Sequence, residues 1–372
     1  MVARENDTEV RYRDGSDPRI RVSIVVSRLF PVTGLESVTV SLVEALAGTH
    51  DVRVIVLADE ASDVIQHPAV TVESWGPKVL GWKRILTIVR AIRHRNDLDG
   101  SVIILSGAWA AIPMLFGLPK RSRMRTLVWE HSLDNHQINI KKRLKILRAV
   151  ARPLYARARA TIAVSESLRL DMHDAGFSGT IEMIPNIVRK FDSLQLNDVI
   201  RGRLLTVGTL SKVKNQSLAL RTLALLPEHY SLDILGDGPE RSNLERLAAE
   251  LGIAGRVNFQ GYVPNPAEHF AQAQFVIHPS HSETYGLVMY EAADFRKPVI
   301  AANKGVMAEV IPRLVPGAVA QPQPDAFATA ILSLEANPVS EEDFAGAAHQ
   351  RELASKHILR DWNRLITSAA SE

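Results

Sequence analysis

At 372 residues and 46% apolar side chains, the chain is long enough to bury the cores of two domains of ordinary size. The absence of cysteine excludes disulfides and thiolate metal sites and fits a reducing compartment. No apolar run approaches the roughly eighteen residues of a membrane-spanning helix, and the polar N-terminus lacks a leader-like apolar stretch, so we expect a cytoplasmic protein. The net charge is only +3, although the sequence pI is near 9.1.

The first half of the chain alternates between strand and helix patterns. Residues 1–18 are polar and charged and predict a flexible tail. The predicted strands are 19–27, 52–57, 70–73, 102–105, 126–129 and 161–164, and the predicted helices include 37–46, 83–95 and 108–116. This alternation indicates a parallel, doubly wound sheet.

A histidine follows one of these strands directly, in the segment Trp129-Glu130-His131. Ligands of open α/β sheets bind beyond the carboxyl ends of the strands, so His131 is placed to face a cleft. A lone histidine is also often structural, and the residues alone leave both interpretations open.

Residues 140–160 predict a very basic amphipathic helix, interrupted or kinked at Pro153. Such a helix can lie on anionic lipid, which would place the protein peripherally on the inner face of the cell membrane. It can equally be a solvated helix that packs its apolar stripe on the sheet. Nucleic acid is not expected as a partner, because no aromatic residues are interleaved with the charges.

The second half predicts another α/β unit. Residues 187–201 lack periodicity and predict a linker after Pro185-Asn186. The strand 204–207 then runs into a loop from Gly208 to Asn215, and the strand 232–235 runs into Gly236-Asp237-Gly238-Pro239, where Pro239 suits the first turn of a helix.

Residues 275–302 predict a strand, a polar loop, a helix and a second strand. Glu283 lies in the loop, and Glu291, eight residues later, lies about one and a half turns inside the helix. The loop and the start of the helix offer backbone N–H groups as a seat for an anion, those of Thr284, Tyr285, Gly286, Leu287 and Val288. Carboxylates beside a phosphate seat suit a sugar nucleotide.

The stretch from Ser282 to Ala292, SETYGLVMYEA, resembles the E-x7-E signature of the retaining glycosyltransferases of family GT4. The resemblance implies the GT-B fold, in which two Rossmann-like doubly wound domains face a cleft. On this pattern the tail at 1–18 precedes an acceptor domain at 19–186, a linker at 187–201 and a donor domain at 202–345, and the C-terminal helix at 346–372 crosses back to the first domain.

The resemblance also implies roles for side chains. His131, Lys214 and Glu283 would form the catalytic group, with Lys214 on the donor diphosphate and Glu283 on the hydroxyls of the donor sugar. Glu291 would hold the ribose. The other implied donor contacts are Gly34, Gly208, Thr209, Gly236, Gly238, Tyr262, Val263 and residues 284–288, where Tyr262 and Val263 would flank the base.

Three positions depart from the family pattern. Thr33 replaces the first of two glycines, Thr209 replaces an arginine that would meet the diphosphate, and Val306 replaces a glycine. These departures keep open a non-catalytic subunit that binds sugar nucleotides, and a GT-B-fold epimerase is a further alternative. A hydrolase with two carboxylates is disfavoured, because a phosphate seat has no purpose there.

No metal or cofactor is expected, because Lys214 can supply the counter-charge. Asp171 and Asp174 lie on a predicted helix away from the donor segments, and His278 and His281 flank Pro279 without a third ligand, which favours a structural interpretation. The expected donor is a nucleotide-diphosphate hexose, with UDP favoured over GDP. The expected acceptor is a polysaccharide, a glycolipid or a small metabolite.

Overall fold

Two parallel sheets organise the protein. The computed structural model describes residues 19–29, 34–57, 65, 67–75, 82–93, 97–133, 149–188 and 199–372. The first sheet has seven strands in the order β3-β2-β1-β4-β5-β6-β7. They are β1 (Arg21–Val26), β2 (Asp51–Val56), β3 (Thr71–Ser74), β4 (Val102–Ser106), β5 (Thr126–Glu130), β6 (Ala160–Ala163) and β7 (Ile181–Met183).

The second sheet has six strands in the order β10-β9-β8-β11-β12-β13. They are β8 (Arg203–Val207), β9 (Ser231–Leu235), β10 (Val257–Gly261), β11 (Phe275–His278), β12 (Val299–Ala302) and β13 (Gly317–Ala320). The strands of both sheets pair in parallel, and their central members are apolar and buried on both faces, as expected for sheets covered by helices.

Helices connect the strands and cover both sheets. Those of the first half are Gly34–Ala47, Trp82–Arg93, Ala108–Gly117, Lys120–Met124 and Glu166–Asp174, and residues 149–155 are also helical. Those of the second half are Gln216–Leu225, Arg241–Glu250, Ala267–Gln272, Leu287–Asp294, Gly305–Val310, Pro324–Ala336 and Glu341–Ala370. The helix after Pro239 begins at Arg241, so the proline precedes it and does not occupy its first turn.

The last helix returns to the first sheet. Its N-cap is Ser340, whose hydroxyl and the carboxylate of Asp343 form a reciprocal capping box. Near its other end, Trp362 is fully buried and packs edge-on against Trp129 of β5, with ring centroids 5.6 Å apart. The crossing predicted from family resemblance is therefore confirmed, and the helix is longer than predicted, since it starts at Glu341.

The two halves also meet at the cleft. The hydroxyl of Tyr285 donates to the backbone oxygen of Asn186 over 2.8 Å, and both residues are buried. A Cβ built on Gly34, at the start of the helix after β1, would lie 2.9 Å from Leu287 Cδ1. The carboxyl edges of the two sheets thus face each other, which is where ligands of open α/β sheets bind.

Candidate active site

Two side chains, Lys214 and His278, converge on one carboxylate oxygen of Glu283 at the edge of the second sheet. Lys214 Nζ donates to Glu283 Oε1 over 2.6 Å, and His278 Nε2 lies 3.0 Å from the same oxygen. Glu283 is about one-tenth exposed and His278 is buried. The structure therefore brings together Lys214 and Glu283, which were predicted as catalytic, and adds a histidine to them.

The charge state of Glu283 follows from these contacts. Burial alone would raise the pKa of this carboxyl, but the charge and contact of His278, followed by those of Lys214, lower it well below its ordinary value. The group is therefore a carboxylate across the physiological pH range. A carboxylate is a pure acceptor and is suited to hold sugar hydroxyls.

Lys214 is carried by a loop that packs closely on the neighbouring strand ends. Asn215, the next residue, adopts a left-handed conformation with φ of 52° and donates its side-chain N–H to the Pro279 oxygen over 3.2 Å. A Cβ built on Gly208 would lie 3.7 Å from Lys214 Cε, so the lysine stem lies over that glycine. These contacts direct the ammonium group towards the loop of Glu283.

Two glycines allow the loops after β8 and β9 to touch. A Cβ on Gly236 would lie 2.1 Å from the Gly208 oxygen, and one on Gly238 would lie 2.4 Å from the Leu210 oxygen. Only glycine fits such a close backbone approach. The predicted donor positions Gly208, Gly236 and Gly238 therefore support the shape of the loop that carries Lys214.

The helix Leu287–Asp294 begins beside this group. Its N-cap is Gly286, with φ of 74°, a conformation that glycine adopts without strain. Within the part of the chain that the structure describes, the backbone N–H groups of residues 284–288 donate to no carbonyl oxygen. They form an unsatisfied N-terminal turn next to Lys214, as an anion seat requires.

Glu291 lies on the same helix and has the opposite electrostatics to Glu283. Burial, with a smaller contribution from the charge of Asp294, raises the pKa of Glu291 to about 7. The two predicted carboxylates are thus one ionised group and one that titrates near neutral pH. A buried carboxyl with a raised pKa is a candidate for binding a ligand, and this description fits Glu291.

His131 lies across the cleft, after β5. Its Nε2 is 3.1 Å from Ser106 Oγ, and its ring centroid is 4.3 Å from that of Trp129. Burial lowers the pKa of His131 to about 3, so the imidazole is neutral at working pH. Its backbone N–H donates to Glu130 Oε1 over 3.1 Å, which fixes the turn after the strand.

A cavity lies between the two edges. Its walls are formed by Ser132, Leu133, Ser167, Leu168 and Asp171 from the first half and by residues 281–284, Lys304 and Gly305 from the second. Asp171 therefore lines the same cavity as Glu283, and the prediction that it lies away from the donor segments is wrong. The prediction failed because the fold brings the helix Glu166–Asp174 across the cleft.

The structure also describes the predicted base-flanking residues and Thr209. Tyr262 is half exposed and Val263 partly buried, both just after β10. The oxygen of Thr209 accepts from Gln216 Nε2 over 3.2 Å, so its backbone is part of the same loop. Among the described residues no group of three His, Cys, Asp or Glu side chains could hold a metal ion.

Some predictions fall on residues outside the described ranges. Thr33 is one, and so is the first part of the basic segment at 140–160, of which residues 149–160 are described. Contact of this segment with an anionic membrane therefore stays a prediction. In the described part of the chain, no helix combines the length and apolar character needed to cross a bilayer.

Two residues of the site were not predicted. His278 ends β11 and was interpreted as structural, yet it contacts Glu283; its signal was a histidine at a strand end five residues before that glutamate. Lys304 follows β12 and lines the cavity; its signal was a cation just beyond a carboxyl strand end.

Two family models match the chain in succession. The model described as Glycosyltransferase Family 4 matches residues 32–189, and the model described as Glycosyl transferases group 1 matches residues 197–351. Together the two matches leave out residues 1–31, which include β1, the short stretch 190–196, and residues 352–372, which include most of the last helix.

Individual relatives are similar over parts of the chain. The chain is 37% identical over 136 residues to a D-inositol 3-phosphate glycosyltransferase of Mycolicibacterium gilvum. This aligned region covers 34% of the chain and 30% of that protein. Over 233 residues it is 29% identical to the lipopolysaccharide core biosynthesis glycosyltransferase LpsD of Rhizobium meliloti, covering 56% and 66% respectively. The chain thus spans less than a third of the first relative and just under two thirds of the second.

A solved structure matches almost the whole chain. HepE of Anabaena, in complex with UDP and glucose, superposes with a TM-score of 0.73 at 19% identity, covering 94% of this chain and all of that one. The same protein has also been solved in complex with UDP-glucose. At this identity the likeness shows a common two-domain fold.

Proposed function

Because the chain belongs to the GT4 glycosyltransferases and has the GT-B fold, we propose that it transfers a hexose from a UDP-sugar to a carbohydrate, glycolipid or small-metabolite acceptor, with retention of configuration. The observation that carries the proposal is the meeting of Lys214 and Glu283 beside the unsatisfied N-terminus of the helix Leu287–Asp294. A cation and free N–H groups suit a diphosphate, and an adjacent carboxylate suits a sugar.

In the proposed reaction, the bond between the anomeric carbon and the phosphate oxygen breaks while an acceptor oxygen bonds to that carbon on the same face. The acceptor proton passes to the leaving phosphate oxygen, so the products are a nucleoside diphosphate and the glycosylated acceptor. Negative charge grows on the diphosphate, and Lys214 and the N–H groups of residues 284–288 stabilise it. No metal ion is required in this proposal.

The remaining groups orient the substrates. Glu283 would accept from hydroxyls of the sugar and Glu291 from those of the ribose, which fixes the anomeric carbon relative to the acceptor. His131, which is neutral, would face the sugar and the acceptor from the other side of the cleft. UDP is favoured as the nucleotide because HepE, with the same fold, was solved with UDP-glucose.

The test is donor hydrolysis with UDP-, GDP- and ADP-hexoses, following nucleotide release by the wild type, Glu283→Gln and Glu291→Ala. We expect release from one UDP-hexose, with a loss of about tenfold or more in both variants. Glu250→Gln, on a side chain exposed at the far end of the helix Arg241–Glu250, is the matched control and should behave as wild type.

The outcomes separate the alternatives. A donor that is isomerised without nucleotide release would identify an epimerase. Calorimetric binding of a UDP-sugar without turnover, even with an acceptor panel, would identify a non-catalytic subunit. If no nucleotide sugar binds at all, the proposed function is wrong.

A further inference from the structure

His278 is a buried polar side chain in an otherwise apolar strand. The three residues before it in β11 are Phe275, Val276 and Ile277, and all are buried. His278 pairs with Ala301 of β12 in the parallel ladder, so its backbone is fixed at the centre of the sheet. A buried imidazole is costly unless a polar group compensates it. The Nε2 of His278 makes no well-aligned hydrogen bond within the described residues, and it lies 3.0 Å from Glu283 Oε1, within ion-pair distance.

The two partners of Glu283 differ in how freely they can leave it. Lys214 is more than a quarter exposed and reaches Glu283 at the end of a flexible stem, whereas the ring of His278 is buried. Both contact Oε1, at 2.6 Å for Lys214 and 3.0 Å for His278. The second carboxylate oxygen, Oε2, takes part in neither contact.

Donor binding would change the charge compensation of Glu283. If Lys214 neutralises the diphosphate, its charge is shared between that ligand and Glu283. Glu283 would then be a largely buried carboxylate with weaker compensation, which disfavours its ionised form and loosens its orientation. A fixed second partner on Oε1 would prevent both effects and leave Oε2 for a sugar hydroxyl.

We infer that His278 is a positioning residue, which holds Glu283 through Oε1 in its sugar-binding orientation while Lys214 engages the donor diphosphate. The inference rests on the proposed function of the site. It assigns His278 to recognition of the sugar and not of the nucleotide, since the donor-binding side chain that its ring contacts is Glu283, which would hold the sugar.

The test compares UDP with UDP-glucose, because only the second carries the sugar. Calorimetry gives the affinity of both ligands for wild type, His278→Leu and His278→Gln, and nucleotide release gives kcat and KM. We expect His278→Leu to keep UDP affinity within about twofold of wild type. The affinity for UDP-glucose relative to UDP should fall about tenfold, and kcat should fall by a similar factor. His278→Gln, which restores an N–H donor, should recover part of both losses.

His269→Leu is the matched control. His269 also contacts a carboxylate, with its Nδ1 3.4 Å from Asp233 Oδ2, but it does not line the cavity. This variant removes a comparable histidine–carboxylate contact from the same half of the chain, and it should leave the affinity ratio unchanged.

Three results would overturn the inference. The first is an unchanged affinity ratio in His278→Leu. The second is a parallel loss of UDP and UDP-glucose affinity in that variant, which would indicate a structural role only. The third is a His278→Gln variant whose affinity ratio and kcat are no higher than those of His278→Leu. Failure of the proposed function looks different, because then the wild type itself binds neither ligand.

Discussion

The hydroxyl of Tyr155 donates to Glu130 Oε2 over 2.5 Å, and both side chains are buried. The other oxygen of Glu130 accepts from the backbone N–H of His131 at 3.1 Å. Burial, and then the neighbouring carboxylate, raise the pKa of Tyr155 well above its ordinary value, so the phenol stays a donor. Tyr155 thus secures the carboxylate that holds the turn of His131.

Tyr155→Phe should weaken both the fold and the reaction. A buried hydrogen bond to a charged group contributes about 1.5–3 kcal/mol, and we expect a loss of that size in the free energy of unfolding. Nucleotide release should fall several-fold, because the turn at His131 loses one of its anchors. Urea unfolding and the donor-hydrolysis assay measure the two effects.

Tyr230→Phe provides the control for this prediction. Tyr230 is also buried and donates to a carboxylate, Glu335, over 2.5 Å, but it does not line the cavity. The same atom is removed, so stability should fall while turnover stays at the wild-type level. An equal loss of turnover in both variants would mean that general instability, and not the turn at His131, explains the effect.

Much of the fold followed from the sequence because its signals are local. Apolar runs set the strands and glycine turns set the loops, so the predicted strand from 102 to 105 lies within the observed Val102–Ser106. The meeting of Lys214 with Glu283 was also anticipated, through family resemblance. The contact of His278 with Glu283 and the place of Asp171 in the cavity were not, because both depend on how separate elements pack in three dimensions.

Glu291 should make the stability of the ligand-free protein depend on pH. Its folded pKa, about 7, lies above the ordinary value of 4.5, so the folded state favours the protonated form. That contribution is fully present below the ordinary pKa and is lost as the pH rises through about 7. Removing the charge with Glu291→Gln should therefore stabilise the protein at about pH 8, by on the order of 3 kcal/mol, and much less near pH 4.5.

Chemical unfolding of both proteins at the two pH values checks this prediction. Glu250→Gln, which removes a carboxyl from an exposed side chain, should show no such pH-dependent difference. A stability difference between Glu291→Gln and wild type that is the same at both pH values would show that Glu291 titrates normally in the folded state.

Gly236→Ala should disturb the donor loop. The added Cβ would lie 2.1 Å from the Gly208 oxygen, and Gly236 has a φ of 127°, which side chains rarely adopt. The backbone must move, so we expect a loss of about 2 kcal/mol or more in stability and about tenfold in UDP affinity. Gly255→Ala, where a Cβ meets nothing within 4 Å, is the control and should change neither. If Gly236→Ala leaves UDP affinity unchanged, the loop that carries Gly236 does not contribute to donor binding.

Trp362 should couple the last helix to the first sheet. Its ring is fully buried and meets Trp129 edge-on at 5.6 Å, and the side-chain oxygen of Asn363 beside it accepts a hydrogen bond from His50 Nε2 over 2.8 Å. Trp362→Ala leaves a large cavity at this junction and should cost about 3–5 kcal/mol. Trp362→Phe keeps an aromatic edge and should cost less.

Urea unfolding followed by circular dichroism measures the cost, with Trp109→Ala as control. Trp109 is 63% exposed, so its truncation should change the free energy of unfolding by about 0.5 kcal/mol or less. Because the helix Glu341–Ala370 follows the second sheet in sequence but packs on the first, loosening it should also separate the unfolding of the two halves. A single, unshifted transition in Trp362→Ala would show that this helix contributes nothing to the cohesion of the two halves.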